Sequence, residues 1–184
     1  MRIFGIDPGS ERTGYGCVET DGRQYSLVAC GAITQRASVA FPQRLAAIHR
    51  ELGRLLAIHR PQSVAIENVF HAVNARSALK LGHARGVAML AAVSAGCEVF
   101  EYTPAEVKRA VVGYGRAEKR QVQQMVTLLL GLDEPPTPFD ASDALAIAIC
   151  HLHGHPVHAA TDAQARTPRS KLRSWRNYRP PAAQ

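Results

Sequence analysis

The sequence predicts an α/β fold built on a mixed sheet, because two patterns follow each other along the chain. Residues 2–34 contain three apolar segments with strand character, separated by turn residues, which predict antiparallel strands. From residue 42 onward, helical periodicities alternate with two short apolar segments typical of parallel strands. The order β-β-β-α-β-α-β-α-α-α has no internal repeat, and it predicts five strands with helices on both faces of the sheet.

The first three strands are predicted as an antiparallel meander. Residues 2–7 form the first strand and residues 8–12 a turn, after which strands follow over 13–20 and 24–34. Asp21-Gly22 supplies the tight connection between the last two of these strands.

Helices and buried strands alternate in the rest of the chain. Six apolar residues between 42 and 60 recur close to every 3.6 positions and predict an amphipathic helix: Leu45, Ile48, Leu52, Leu55, Leu56 and Ile58. The remaining predicted elements are a strand over 63–67, a helix over 74–95, a strand over 97–102, a helix from Pro104, a helix over 117–130 and a last core helix from Asp140.

Composition predicts one core domain and a basic tail. The chain has 184 residues, 46% of them apolar, which suits a single core over residues 1–155. From about residue 156 to 184 the chain becomes rich in Pro, Ala and Arg without periodicity, which predicts a flexible tail. The net charge of +7 is concentrated toward this end, so charge alone favours a nucleic-acid partner only modestly.

Cysteine usage and hydropathy predict a soluble cytoplasmic protein. The four cysteines have no C-x-x-C spacing, so we expect reduced core thiols and no zinc site. No apolar signal-peptide segment precedes Asp7. The longest weakly polar stretch, 86–96, is far shorter than the roughly 20 residues of a membrane span, so no membrane partner is expected.

Four carboxylates are placed where secondary structure begins or ends. Asp7 and Glu67 each end an apolar strand, and the carboxyl ends of adjacent parallel strands are where ligands of α/β sheets bind. Asp140 and Asp143 lie three residues apart and share one side of a helix. If these segments converge, the acids repel one another unless a cation neutralises them. Oxygen ligands favour Mg²⁺ or Mn²⁺, and two such ions roughly 4 Å apart would suit phosphodiester cleavage.

Each acid also has a structural alternative. Asp140 is a possible N-cap with Asp143 completing the cap, and Asp7 before Pro8-Gly9 is a possible Asx-turn residue. Glu67 is the hardest to explain structurally, because Glu contributes little to turns. Glu101 also ends a strand, and we interpret it as structural.

Several segments together resemble the RuvC family of Holliday junction resolvases. The resemblance covers about residues 2 to 152 and rests on these stretches in order: GIDPG from Gly5, TGYG from Thr13, IENVF from Ile66, Asn74, SALKLG from Ser77, ARG from Ala84, VK from Val107, VVG from Val111, EK from Glu118, QV from Gln121 and DASDALA from Asp140. It implies an RNase H-like fold of the retroviral integrase superfamily. It also implies a homodimer that makes paired nicks in a four-way DNA junction, with Mg²⁺ as cofactor and Mn²⁺ as its substitute.

The resemblance also implies roles for individual residues. The family's four catalytic and metal-binding acids match Asp7, Glu67, Asp140 and Asp143, and its DNA-contacting lysines match Lys108 and Lys119. Phe70 is the expected stacking residue at the crossover. Weaker DNA-binding candidates are Arg76, Lys80 and Arg120. The RuvA–RuvB branch-migration complex is the expected protein partner.

Two further motifs have both a functional and a structural interpretation. Gly113-Tyr114-Gly115 precedes a helix, and we expect its backbone N–H groups to be free to bind a phosphate. Four histidines at positions 151, 153, 155 and 158 are spaced like a metal cluster, but we interpret them as surface residues without a role.

Three other functions compete with junction resolution. Actin-like sugar kinases and chaperone ATPases also have an Asp-Gly loop after a strand, but they need a second such loop and a longer chain. A catalytically silent junction-binding protein is disfavoured because all four acids are present. An RNase H-type ribonuclease remains the nearest enzymatic alternative, since the choice between DNA and RNA depends on groove shape and 2′-OH contacts.

Overall fold

The computed structural model describes residues 1–68 and 74–154. Its five strands are β1 Arg2–Asp7, β2 Arg12–Thr20, β3 Tyr25–Thr34, β4 Ser63–Glu67 and β5 Glu98–Tyr102. Its five helices are α1 Phe41–His59, α2 Ala75–Ser94, α3 Pro104–Val112, α4 Lys119–Leu129 and α5 Phe139–Gly154. All ten predicted elements are therefore confirmed, with ends that shift by one or two residues.

The strands form one mixed sheet in the order β3-β2-β1-β4-β5. The pairs β1–β2 and β2–β3 are antiparallel, which confirms the predicted meander. The pairs β1–β4 and β4–β5 are parallel, so the sheet contains both kinds of pairing. The predicted α/β fold with a mixed five-stranded sheet is confirmed.

Alternating side chains divide the core into two layers, one on each face of the sheet. On one face, Ile3 and Ala65 pack with residues of α3, α4 and α5. On the other face, Phe4 and Ile66 pack with residues of α1 and α2. Because the sheet is covered on both sides, its central strands β1 and β4 are almost entirely buried, as their apolar sequences predict.

The helix α5 lies unusually close to the sheet because glycines face it. A Cβ at Gly5 would lie 1.9 Å from the carbonyl oxygen of Ala144, and one at Gly14 would lie 2.0 Å from that of Asp140. A Cβ at Gly16 would meet the side chain of Leu145 at 2.7 Å. Real Cβ atoms do not approach other atoms this closely, so these glycines fix where α5 rests on β1 and β2.

The C-terminal half of α5 corrects one prediction. His151 is not a surface residue, because only 1% of it is exposed. Its Nδ1 lies 2.8 Å from the Tyr102 hydroxyl, and its ring packs 4.5 Å from that of Phe100. His153 is exposed as predicted, whereas positions 155 and 158 and the predicted tail over 156–184 lie outside the described residues.

Two further expectations concern thiols and membranes. All four cysteines are free of disulfide bonds, as the sequence predicts. Within the described parts of the chain, no helix combines the length and apolarity that crossing a bilayer requires.

Candidate active site

Asp7 and Glu67 lie side by side at one edge of the sheet. The strands β1 and β4 run parallel with Ile6 opposite Ile66, which places the next residue of each strand at the same level. Asp7 is on the same side of β1 as Gly5, which faces α5, and Glu67 is on the same side of β4 as Ala65. Both carboxylates therefore project toward α5, close enough for the charge of Glu67 to act on Asp7.

The helix α5 brings the other two acids to the same place. Its first turn rests on β2 at Gly14, which pairs with Asp7 across the β1–β2 ladder. Asp140 belongs to this first turn, and Asp143 follows one turn later on the same side of the helix. The two acids thus reach the edge of the sheet where Asp7 and Glu67 project.

A cleft of about 250 Å³ opens at this edge. Three of the acids line it together with cations and apolar residues of α3 and α4: Asp7, Glu67, Pro104, Val107, Lys108, Lys119, Val122, Asp143 and Ala146. Asp140 is not part of this lining, although its charge still acts on Asp7. The predicted convergence of the four acids is what the structure shows.

Burial and repulsion both act on the two strand-end acids. Desolvation raises the pKa of Asp7 well above its ordinary value, and the charges of Glu67, Asp143 and Asp140 raise it further, in that order. Desolvation also raises the pKa of Glu67, followed by the charge of Asp143. The cluster therefore carries negative charge that the protein stabilises only in part.

Two cations compensate the acids of α5 from opposite sides. The Nζ of Lys119, at the start of α4, donates a hydrogen bond of 2.9 Å to Asp143 Oδ2, and this bond raises the pKa of Lys119. The Nη1 of Arg12, at the start of β2, lies 3.3 Å from Asp140 Oδ2. Each acid of the helix thus has its own positively charged neighbour.

The structural alternatives for Asp7 and Asp140 are not supported. In an Asx-turn at Asp7, the N–H of Gly9 would donate to the aspartate, but it donates to Thr13 Oγ1 at 3.4 Å. The helix α5 begins at Phe139, so Asp140 lies inside its first turn, and its carboxylate accepts from Arg12.

Glu101 is structural, as predicted, and the sheet explains why. It pairs with Ile66 across the β4–β5 ladder, whereas Glu67 pairs with Tyr102. Successive side chains of a strand point to opposite faces of the sheet, so Glu101 lies on the face opposite to that of Glu67. Glu101 therefore projects toward α2 and forms an ion pair with Arg85.

The acids fit a divalent cation by charge and donor type but not as a preformed cage. The four carboxylates supply oxygen donors, and the pKa values of the two at the strand ends, Asp7 and Glu67, are raised. A hard cation would stabilise the charged form of these carboxylates. Across residues 1–68 and 74–154, however, no three His, Cys, Asp or Glu side chains are grouped closely enough to hold an ion. Asp140 is instead paired with Arg12, and Asp143 with Lys119.

The other predicted DNA-binding residues differ in their placement. Lys108 lines the cleft, and Arg120 is exposed beside Lys119. Arg76 is exposed and Lys80 partly exposed on the first turns of α2. Phe70 lies outside the described residues.

Not all backbone N–H groups at the predicted phosphate loop are free to bind a phosphate. The N–H of Gly113, which adopts a left-handed conformation with φ of 96°, donates to the Arg109 carbonyl at 3.0 Å. The N–H of Glu118 donates to Gln121 Oε1 at 2.8 Å as part of a capping box. The expectation of free N–H groups is therefore wrong at Gly113, whose N–H group is used at the end of α3. Glu118 lies just beyond the motif, and its N–H group is used at the start of α4.

Arg12 is the site residue that sequence reasoning missed. The sequence predicts a turn over 8–12, so Arg12 appears as one more turn residue. Its spacing from Gly14 was the available signal, because residues two apart in a strand share a face. Only the close approach of α5 to Gly14 shows what this face meets.

Comparisons with known proteins agree with the geometry. The family model described as crossover junction endodeoxyribonuclease RuvC matches residues 3–151. A relative with that description from Koribacter versatilis is 56% identical over 154 residues, which cover 83% of this chain and 93% of the relative. Another from Pelobacter propionicus is 51% identical over 180 residues, which cover 98% of this chain and all of the relative.

Solved structures show the same similarity. Thermus thermophilus RuvC in complex with a Holliday junction substrate has a TM-score of 0.80 and 36% identity, with 84% of this chain and 94% of that chain covered. The yeast mitochondrial Holliday junction resolvase has a TM-score of 0.57 at 12% identity, covering 82% of this chain and 78% of that chain, which shows a shared fold.

Proposed function

Because this chain belongs to the RuvC family of crossover junction endodeoxyribonucleases, we propose that it resolves four-way DNA junctions by paired symmetric nicks near the crossover. The observation that carries the proposal is the convergence of four acids from three separate segments on one face of an RNase H-like sheet. Such a set suits phosphodiester hydrolysis in recombination and repair.

The four acids differ in what each one does. Asp7 and Glu67 are desolvated by burial and are fixed by the parallel strands, so they define the floor of the site. Asp140 and Asp143 approach from α5, with 28% and 22% of their side chains exposed, and face the incoming strand. All four are proposed catalytic residues and cation ligands.

The proposed cofactor is Mg²⁺, with Mn²⁺ as a substitute and two ions during catalysis. When bound, the ions would activate a water for attack and stabilise the leaving oxygen. The chain itself contributes the acids that hold them and the apolar walls Val107 and Val122, which restrict water in the cleft. Lys108 and Lys119 add positive charge beside the acids, where a phosphate must enter.

The remaining proposed DNA contacts lie around this cleft and on α2. Arg120 extends the positive charge of α4 outward, and Arg76 and Lys80 would contact an arm of the junction. Phe70 remains the proposed stacking residue on the strength of the family resemblance.

We further propose that the active form is a homodimer joined through α2. One side of this helix carries a stripe of exposed apolar residues and glycines, at intervals of three or four positions: Leu79, Gly82, Gly86, Leu90 and Val93. The side chains of Leu79, Leu90 and Val93 are 58–64% exposed, and space next to both glycines is open. An exposed apolar stripe of this length is typical of a contact surface.

A dimer suits the substrate. A four-way junction has near two-fold symmetry, and a two-fold dimer presents two identical sites to two equivalent strands. Paired nicks would release two duplexes, whereas a single site would leave a nicked junction. A cytoplasmic protein that works with the RuvA–RuvB branch-migration complex is consistent with this role.

A synthetic four-way junction with a fixed crossover tests the proposal. With Mg²⁺ we expect symmetric nicks on two opposing strands near the crossover, detected by denaturing gel electrophoresis of end-labelled strands. Omitting Mg²⁺ should stop cutting but leave binding.

The same sequences annealed as linear duplex and as RNA–DNA hybrid are the controls. Equal cutting of linear duplex would contradict junction specificity. Preferred cutting of the hybrid would instead favour a ribonuclease of the same fold.

A further inference from the structure

Arg12 occupies a position in the active site that its pairing with Asp140 does not fully explain. We propose that Arg12 binds a backbone phosphate of the junction strand that crosses the acid cluster. This inference rests on the proposed function, because it concerns how the same site receives DNA.

The direction of the Arg12 side chain follows from the packing of β2. Arg12, Gly14 and Gly16 are two residues apart and share the face that α5 covers. The two glycines let the helix approach the strand, and its first turn lies over Gly14. Arg12 is the next position on this face, just beyond the start of the helix, so its guanidinium reaches the open side of the cluster.

The contact with Asp140 leaves Arg12 available for a ligand. The Nη1–Oδ2 distance of 3.3 Å is long for a charge-assisted hydrogen bond, and 52% of the Arg12 side chain is exposed. An exposed ion pair of this kind contributes little to stability. A guanidinium has five N–H donors in a planar fork, which matches the oxygens of a phosphate.

The two cations next to α5 define a path for a strand. Arg12 reaches Asp140 from β2, and Lys119 reaches Asp143 from α4. A phosphate backbone that crosses the acids therefore meets a positive charge on each side. Without both cations, four carboxylates would repel the phosphate that has to be cut.

Junction affinity of the full chain is the readout. Fluorescence anisotropy of a labelled four-way junction, without divalent cations so that no strand is cut, is measured over a series of salt concentrations. The variants are Arg12→Gln, Arg12→Lys and the matched control Arg23→Gln. Arg23 is an exposed arginine just beyond the other end of β2, about 26 Å or more along the strand.

Removing the charge at Arg12 should weaken binding roughly three- to tenfold and reduce the slope of log affinity against log salt by about 0.9. Arg12→Lys should retain most of the affinity, and Arg23→Gln should stay within about twofold of the unsubstituted chain. Equal losses in Arg12→Gln and Arg23→Gln would overturn the proposal, because only net charge would then matter.

A double-substitution cycle separates phosphate binding from shielding of Asp140. If Arg12 binds phosphate, the loss caused by Arg12→Gln persists in the Asp140→Asn background. If that loss disappears, Arg12 only neutralises Asp140 and the proposal is wrong. An unsubstituted chain that binds the junction no better than linear duplex would contradict the proposed function itself, which is a different result from either of these.

Discussion

The two faces of the sheet use the same residue types for different purposes. On the α5 face, glycines allow a buried helix to pack in close contact with the strands, and the acids at the strand ends, Asp7 and Glu67, are the proposed catalytic residues. On the α1–α2 face, larger apolar side chains fill the space between sheet and helices, and Glu101, one residue before the end of β5, is paired with Arg85. The comparison shows that a residue type in this fold acquires its role from the face on which it lies.

The largest expected difference concerns two glutamates of parallel strands, Glu67 at the end of β4 and Glu101 one residue before the end of β5. Glu67→Gln removes a carboxylate from the cluster and should reduce junction cutting at least about 100-fold, while binding remains. Glu101→Gln should keep cutting within about threefold, because its side chain faces α2. Nicking rates at saturating enzyme test both variants. Similar losses in the two variants would break the distinction between the faces.

Replacing a glycine by alanine should change the free energy of unfolding in opposite directions on the two faces of the sheet. Gly14→Ala would place a Cβ 2.0 Å from the Asp140 carbonyl oxygen, and we expect a loss of about 3 kcal/mol or more in the free energy of unfolding. Gly53→Ala in α1 meets nothing within 4 Å and should stabilise the protein by about 0.5–1 kcal/mol. Urea unfolding measures both. A harmless Gly14→Ala would mean that α5 can move away from β2.

The outer side of α2 provides a third test, on oligomeric state. Leu90→Glu places a charge in the exposed stripe and should raise the dimer dissociation constant at least about tenfold, since a buried unpaired charge is costly. Leu128→Glu is the matched control, because Leu128 is 74% exposed on α4, on the opposite face. Sedimentation equilibrium gives the constants. A monomeric parent protein, or equal effects of the two variants, would contradict the proposed interface.

The smallest expected effect is on metal-free stability, and its sign is informative. Because the pKa of Asp7 is raised in the folded chain, the folded state binds more protons than the unfolded state above the ordinary value of 3.8. Stability should therefore fall as pH rises from about 4 through the raised pKa. Asp7→Asn removes this penalty and should raise Tm at neutral pH by about 3 °C, for a gain of about 1 kcal/mol.

Asp21 supplies the opposite case for the same measurement. Hydrogen bonds from the backbone N–H groups of Gln24 and Arg23 lower the pKa of Asp21. The charged Asp21 therefore contributes to the stability of the folded state above pH 3.8, and this contribution is lost as the pH falls. Asp21→Asn should consequently not stabilise the protein at neutral pH. Thermal unfolding with a chelator, over a series of pH values, compares the two variants. A Tm that falls in Asp7→Asn would mean that burial does not oppose its charge.

Most of the fold could be predicted because turn residues and apolar periodicity identify each strand and helix locally. The tight turn at Asp21-Gly22 and the apolar strand before Glu67 identified their elements without any long-range information. The ends of elements were less certain, since helix α4 begins at Lys119 and the sequence predicted 117. The prediction that His151 is a surface residue was wrong, because a buried final turn of α5 cannot be distinguished from a fraying end by composition alone.

The sequence by itself determined which four acids could act and, because two adjacent parallel strands end at Asp7 and Glu67, that these two could be neighbours. The tertiary structure alone decided how α5 reaches them, because the approach depends on glycines from two different strands meeting one helix. It also decided that Arg12 joins the site and that Asp140 and Asp143 each have a separate cation. Local patterns depend on neighbours in the chain, whereas these contacts join residues as many as 128 positions apart and exist only after the sheet and helix have packed.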